Sequence, residues 1–151
     1  MAGHSKVHLW GSAALAAGLL LLGGAIAHAQ ASEKTVWSGV YTADQAARGK
    51  AAYGAQCAAC HGTTLAGVDM APPLAGSAFL NNWNSTSAGD LFDRIHSTMP
   101  LNNPGSLGGK TVSDIEAYLF QANGFPAGQV ALPPSQPMMA GIKIIATKPG
   151  S

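Results

Sequence analysis

Cysteine is scarce in this chain: Cys57 and Cys60 are the only two among 151 residues. That excludes the multi-bridge disulfide frameworks that hold many small exported domains together. Charge is sparse as well, with 10% of residues charged and only one more base than acid. A chain so nearly neutral has no field to attract nucleic acid or an anionic membrane surface. Strand-like alternation of apolar and polar residues is missing, which argues against a sheet, and no internal repeat is visible. Long apolar runs are confined to one place, near the start.

That run reads as an export signal. Lys6, with His4 and His8, gives a weakly basic beginning, and Leu19 to Leu22 stand within an Ala- and Gly-rich apolar stretch. Ala27-His28-Ala29 is a small-x-small site, so cleavage before Gln30 is expected, with cleavage after Ala31 the alternative. As an uncleaved membrane anchor, residues 11–27 would be short and diluted by Ala and Gly. No cysteine follows for lipid attachment. Without residues 1–29, which hold Lys6, seven bases balance seven acids. The expected location is the periplasm. About 120 residues then remain, enough for one small domain with a thin core of its own.

The two cysteines belong to Cys57-Ala58-Ala59-Cys60-His61. C-x-x-C-H is the attachment pattern of a c-type haem. One helical turn sets both sulfurs along one edge of the porphyrin, where they form thioethers. The next residue, His61, then lies under the iron as its proximal ligand. Both cysteines are thereby consumed. A thioredoxin-like dithiol should follow a strand, whereas the residues before Cys57 read as helix. A zinc site would need two further ligands at suitable spacing, and no second cysteine pair exists.

Helical patterns occupy residues 41 to about 124. Thr42-Ala43-Asp44-Gln45 predicts a reciprocal capping box. Ala46, Gly49 and Tyr53 then share one face leading into Cys57. An interior glycine costs about 1 kcal/mol relative to Ala, which is explained if another helix crosses closely at Gly49. The expected partner is the segment around Val112 to Asn123, with Val112, Ile115, Leu119 and Ala122 as its apolar stripe and Asn123-Gly124 as its stop. A middle helix is expected from Ser87, capped with Asp90, to Thr98, barred from continuing by Pro100. Residues 62–84, rich in Gly, Pro, Asn and Ser, read as a loop around the cofactor. The fold class is therefore all-α, with N- and C-terminal helices crossing and loops wrapping one covalent haem. The expected organisation is signal 1–29, lead-in 30–40, haem domain 41–132 and a Pro- and Met-containing tail 133–151.

The iron's sixth position has several candidates. Met70 is too close to His61 in sequence to reach the opposite face comfortably, and Met138 and Met139 fall in the tail. Met99 ends the middle helix directly before Pro100, where an extended segment can aim its thioether inward. It also shares a face with Phe92 and Ile95, as a simple core methionine would. His96 is the competing ligand, one helical turn earlier, with a solvated or propionate-facing role as its alternative. Met99 is the favoured ligand.

These residues together resemble class I c-type cytochromes over Tyr41 to about Leu132. The resemblance rests on Gly49 and Tyr53, the CAACH motif, Ala71-Pro72-Pro73-Leu74-Ala75-Gly76, Thr98-Met99-Pro100, and Ile115 to Leu119. It implies one haem c held by Cys57, Cys60 and His61, with Met99 as distal ligand. It also implies that the Pro72 carbonyl supports the His61 imidazole. A narrower likeness, to cytochromes that work with quinoprotein (PQQ) alcohol dehydrogenases, lies in Phe79 to Trp83, Asp90 to Phe92, Met99 to Leu107, and Asn123 to Gly128. Gly108-Gly109 stands where those relatives usually carry a serine cap, so the last helix is expected to start later, capped by Thr111. His96 falls where an arginine is common.

The function expected is a periplasmic one-electron carrier rather than an enzyme, since two protein ligands close the iron to substrates. The alternative is the haem subunit or dedicated acceptor of a PQQ-dependent dehydrogenase, passing electrons to a terminal oxidase or another cytochrome. A small haem peroxidase or gas sensor would require a vacated sixth site. Trp83 could donate to a propionate or cover the haem edge, and Trp37 in the lead-in has no assigned role.

Overall fold

Thr42 has an extended backbone, and its hydroxyl accepts from the Gln45 amide, starting helix α1 at Ala43–Gln56. The computed structural model describes residues 33–150 together with Met1 and Gly3, so the export signal read in residues 1–29 lies, but for those two residues, outside the described residues. Only half of the expected capping box forms. The Gln45 side chain turns inward instead and exchanges two hydrogen bonds with the Leu132 backbone, at 3.0 and 2.8 Å. A buried amide gains more from two otherwise unpaired backbone groups than from one exposed helix end.

After α1 come a single turn at Ala58–His61 (α2), Ser77–Trp83 (α3), Ala88–Thr98 (α4), Gly109–Ala122 (α5) and Gln136–Met139 (α6). Among the described residues there is no strand, only isolated bridges. The fold is all-α. Helix α4 begins with the full capping box foreseen, Ser87 and Asp90 each bonding the other's backbone amide. Those Ser87 hydrogen bonds hold the Asp90 carboxyl below its ordinary value.

α1 and α5 cross at Gly49, where a Cβ would coincide with the Asp114 carbonyl. The helices touch backbone to backbone, and glycine is required there. Beside the crossing, Asp114 accepts both arms of Arg48 at 3.0 Å and Lys110 at 2.8 Å. Burial alone would raise the Asp114 carboxyl, but these hydrogen bonds and charges outweigh it and hold it below the ordinary value.

The structure corrects the sequence reading at several points. Residues 62–84 are not all loop, because α3 lies inside them, anchored by the buried Phe79. α5 starts at Gly109 after Gly108 rather than with Thr111 as its cap. A side chain at Gly109 would strike the Pro134 carbonyl, so the tail's close approach places this helix end. Ala122 is exposed, while residues 112–120 are buried all round. A stripe is too narrow a description for a helix packed on α1 and α4 and approached by the tail.

The segments read as lead-in and tail pack together within the unit that runs from Ala31 to Ser151. Lys143 bonds through its backbone to Lys34 and Val36, and Ile142 and Ile144 bond to Ala88, Ser85 and Thr86. Trp37 donates its indole N–H to the Ile145 carbonyl at 2.8 Å and packs edge-on against Phe125. Met139 is fully buried, so it belongs to the core.

One polar group in that core is unpaired. Glu116 is 0% exposed, and neither carboxylate oxygen has a hydrogen-bond partner. Burial pushes its carboxyl well above the ordinary 4.5, so it stays protonated in the folded state.

Two outcomes follow from this packing. Gly49→Ala should lower stability by about 1–3 kcal/mol in urea unfolding of the haem-loaded protein, despite alanine's better helix propensity; a more stable variant would refute the backbone contact. For Glu116, both states are protonated well below the unfolded-chain value near 4.5, and no pH dependence arises there. Above it the unfolded chain ionises first, so stability should fall with rising pH, by up to about 1.4 kcal/mol per unit, until the folded carboxyl titrates. Glu116→Gln should remove that slope, as urea midpoints at a series of pH values would reveal.

Candidate haem site

Cys57 ends α1 and caps the single turn of α2. Its carbonyl accepts from the Cys60 amide at 3.1 Å and from His61 at 2.9 Å, so the whole CAACH motif is one tight turn. Cys60 is exposed and Cys57 half-buried, both as free thiols. Burial, with Cys60 nearby, pushes the Cys57 thiol up to about 11. A thiol held protonated at neutral pH does not suit a dithiol redox catalyst. Among the described residues, no group of three His, Cys, Asp or Glu side chains comes together as a metal cluster. The zinc reading therefore lacks ligands.

His61 is buried at 8% exposure, and its Nδ1 lies 2.9 Å from the Pro72 carbonyl oxygen. With Nδ1–H donating to that carbonyl, Nε2 is left as the ring atom with a free lone pair. The chain between the two residues is tightly folded. Gly67 N–H returns to the His61 carbonyl, Leu74 N–H to the Leu65 carbonyl, and Ala71 N–H to the Val68 carbonyl. Leu65 and Asp69 take left-handed conformations at φ 61° and 49°. For a buried leucine that conformation is costly, and the surrounding hydrogen bonds must impose it.

Two further residues brace this loop, and neither was singled out for it in the sequence. Tyr53 donates its hydroxyl to the Gly62 carbonyl at 2.7 Å, next to His61, and its ring packs 5.4 Å from that of Tyr118. Asn123 accepts from Gly76 N–H and donates to the Leu74 and Leu119 carbonyls. The sequence marked Asn123 as a helix stop and as part of the Asn123–Gly128 likeness, not as a brace; its contacts 47 and 49 residues away carry no local signal.

Met99 caps the C-terminus of α4 in an extended conformation, half-buried against the core. His96 is half-buried, with its ring stacked 5.6 Å from Phe92. Met70 is 97% exposed and Met138 66% exposed. Trp83 packs against Phe79. Two adjacent free thiols and a buried imidazole oriented through Nδ1 form a donor set that fits a c-type haem.

The family described as "Cytochrome C oxidase, cbb3-type, subunit III" matches residues 44–119, from α1 to the last turn of α5. The chain belongs to this c-type cytochrome family. No curated protein matches it. Among solved structures, the cytochrome is similar to the sulfane dehydrogenase SoxCD from Paracoccus pantotrophus, with 24% identity and a TM-score of 0.42. That likeness covers 58% of this chain and 52% of the other, so the cytochrome spans about half the length of that neighbour. As a c-type cytochrome it binds haem c and works as a haem-based electron carrier.

Asn123→Ala should free the loop at residues 74–76. The expected loss is about 1–3 kcal/mol in urea unfolding of the haem-loaded cytochrome, with faster amide hydrogen exchange at Gly76. Unchanged exchange at Gly76 would show that Asn123 is not the brace.

Proposed function

We propose that this cytochrome is a periplasmic monohaem one-electron carrier. Cys57 and Cys60 would hold the haem through thioethers, and His61 Nε2 and the Met99 sulfur would bind its iron. The observation that carries the reading is the His61–Pro72 hydrogen bond within the folded CAACH loop. It fixes one imidazole tautomer and raises the basicity of the nitrogen left for the metal. Haem supplies the reversible one-electron couple; the chain holds, orients and shields it.

Met99 is favoured over His96 because His96 is already stacked on Phe92, one turn back on α4. Exchanging the two would require unwinding the helix end. Met139 is buried in the core and Met138, in the same short helix, is exposed. A thioether ligand closes the sixth position and favours electron transfer over bond chemistry, so no catalytic residue is assigned.

A second reading makes the protein the haem subunit or dedicated electron acceptor of a PQQ-dependent alcohol dehydrogenase, handing electrons on to a terminal oxidase or another cytochrome. Its support is the sequence likeness in Phe79 to Trp83 and Asn123 to Gly128. Phe79 and Phe125 from those segments are both core residues.

Intact mass of the exported protein should show one haem retained in denaturing acid, and Cys57→Ala or Cys60→Ala should impair maturation. Haem that extracts into acidic organic solvent would sink the attachment. Met99→Ala should abolish the weak far-red band of oxidised iron–thioether, admit cyanide or carbon monoxide and lower the potential, whereas His96→Ala should do none of these. The reverse pattern would establish a bis-histidine cytochrome. A high-spin spectrum in the unaltered protein would favour a peroxidase or sensor.

A further inference from the structure

Tyr53 is bonded to the haem-attachment turn at both of its ends. Its carbonyl accepts from the Cys57 N–H at 2.9 Å, and its hydroxyl donates to the Gly62 carbonyl at 2.7 Å. Cys57 opens the CAACH motif and Gly62 directly follows it. The side chain has little slack of its own. Tyr53 is 2% exposed, and its ring packs 5.4 Å from that of Tyr118 on α5. Burial pushes the phenol up to about 12, so the hydroxyl remains a donor at neutral pH.

Gly62 is a joint that needs such a hold. Its backbone lies at φ 77° and ψ 152°, a conformation open essentially to glycine alone. Nothing in a glycine's own side chain fixes the direction of the chain as it leaves His61. The Gly62 carbonyl also accepts from Leu65 N–H, but at 3.3 Å, beyond the usual range of such bonds. The Tyr53 bond is the stronger grip. Past this joint the chain returns to His61 twice. Gly67 N–H reaches the His61 carbonyl at 3.0 Å, and the Pro72 carbonyl lies 2.9 Å from Nδ1. The direction taken at Gly62 therefore decides how squarely Pro72 meets the imidazole.

We infer that Tyr53 is a positioning residue for the proximal side of the iron: its hydroxyl, by clasping Gly62, aligns the Pro72 carbonyl on His61 Nδ1–H and so lowers the reduction potential. The inference rests on the reading of His61 as an iron ligand. A well-aligned acceptor draws on the Nδ1 proton, makes Nε2 a better donor and favours the oxidised, more positive iron. Lost alignment favours the reduced iron. Mere opening of the loop acts the other way, because water beside the haem stabilises the added charge. The sign of the shift thus separates alignment from simple support.

The test compares the haem-loaded parent with Tyr53→Phe and Tyr118→Phe. Each variant keeps its ring and loses one hydroxyl, but only Tyr53→Phe removes the bond to Gly62. Redox equilibrium of Tyr53→Phe with a mediator of known potential should move toward the reduced cytochrome by about threefold, within one hydrogen bond's net worth. In the reduced protein the His61 Nδ1–H resonance should move upfield and exchange faster with water. Tyr118→Phe should match the parent in both. Meta-fluorotyrosine placed at Tyr53 keeps the ring and strengthens the donor, so it tests the same link even where Tyr53→Phe fails to mature. It should move both readouts the opposite way. An unchanged equilibrium and Nδ1–H signal in Tyr53→Phe, or a shift toward the oxidised form, would overturn the inference. So would an equally large change in Tyr118→Phe. A parent protein whose His61 ring signals are not displaced by a neighbouring haem would instead overturn the ligand reading, before any variant is compared.

Discussion

The close crossing of α1 and α5 is the constraint on which the rest of the structure depends. Its lack of an intervening side chain at Gly49 brings the two backbones into contact. From there α1 runs to Cys57 and delivers the haem-attachment turn, while α5 runs to Asn123 and delivers the brace for residues 74–76. The Tyr53–Tyr118 contact ties the same two helices nearer the motif. His61 and Pro72 therefore come together because each is referred to one end of a single rigid pair. Moving the crossing would shift both partners of a 2.9 Å hydrogen bond.

What the sequence made legible was whatever is decided locally. The Ser87–Asp90 box, the stop at Pro100 and the CAACH turn depend on residues within one helical turn. Gly49 was legible for a different reason: an interior glycine is a cost that only a close neighbour explains. The family resemblance supplied the link from His61 to Pro72, which no spacing rule gives. The misreadings all involve partners distant in sequence. Gln45 fits a local box as well as it fits Leu132, and only burial decides between them. α3 is hidden because its asparagines look like loop, while Phe79 is its one fully buried residue and Leu80 and Trp83 are only partly covered. The start of α5 is set by Pro134, a residue in a tail that composition alone marks as irregular.

Two acids on α5 show how position outweighs chemical type. Asp114 and Glu116 are two residues apart, and both are largely withdrawn from water. Asp114 faces Arg48 and Lys110 and stays ionised despite the cost of burial. Glu116 has neither a charge nor a donor within reach and remains neutral. Asp114 thus adds an ion-pair cluster beside the crossing, whereas Glu116 behaves as a bulky, slightly polar core residue whose ionisation would oppose folding.

The tail extends this logic to the other side of the site. Ile142 and Ile144 take up the Ala88, Thr86 and Ser85 backbone groups at the entry to α4, and Lys143 joins the same place to the lead-in. Helix α4 is thus pinned at its N-terminus by both ends of the domain, while its C-terminus carries Met99. A helix fixed at one end and packed along Leu91, Phe92 and Ile95 has little freedom left at the other. The tail therefore constrains Met99 through α4, although it lies far from Met99 in sequence. Composition marked it only as a Pro- and Met-containing tail; its hydrogen bonds make it part of the support for α4 and for Met99 at that helix's end.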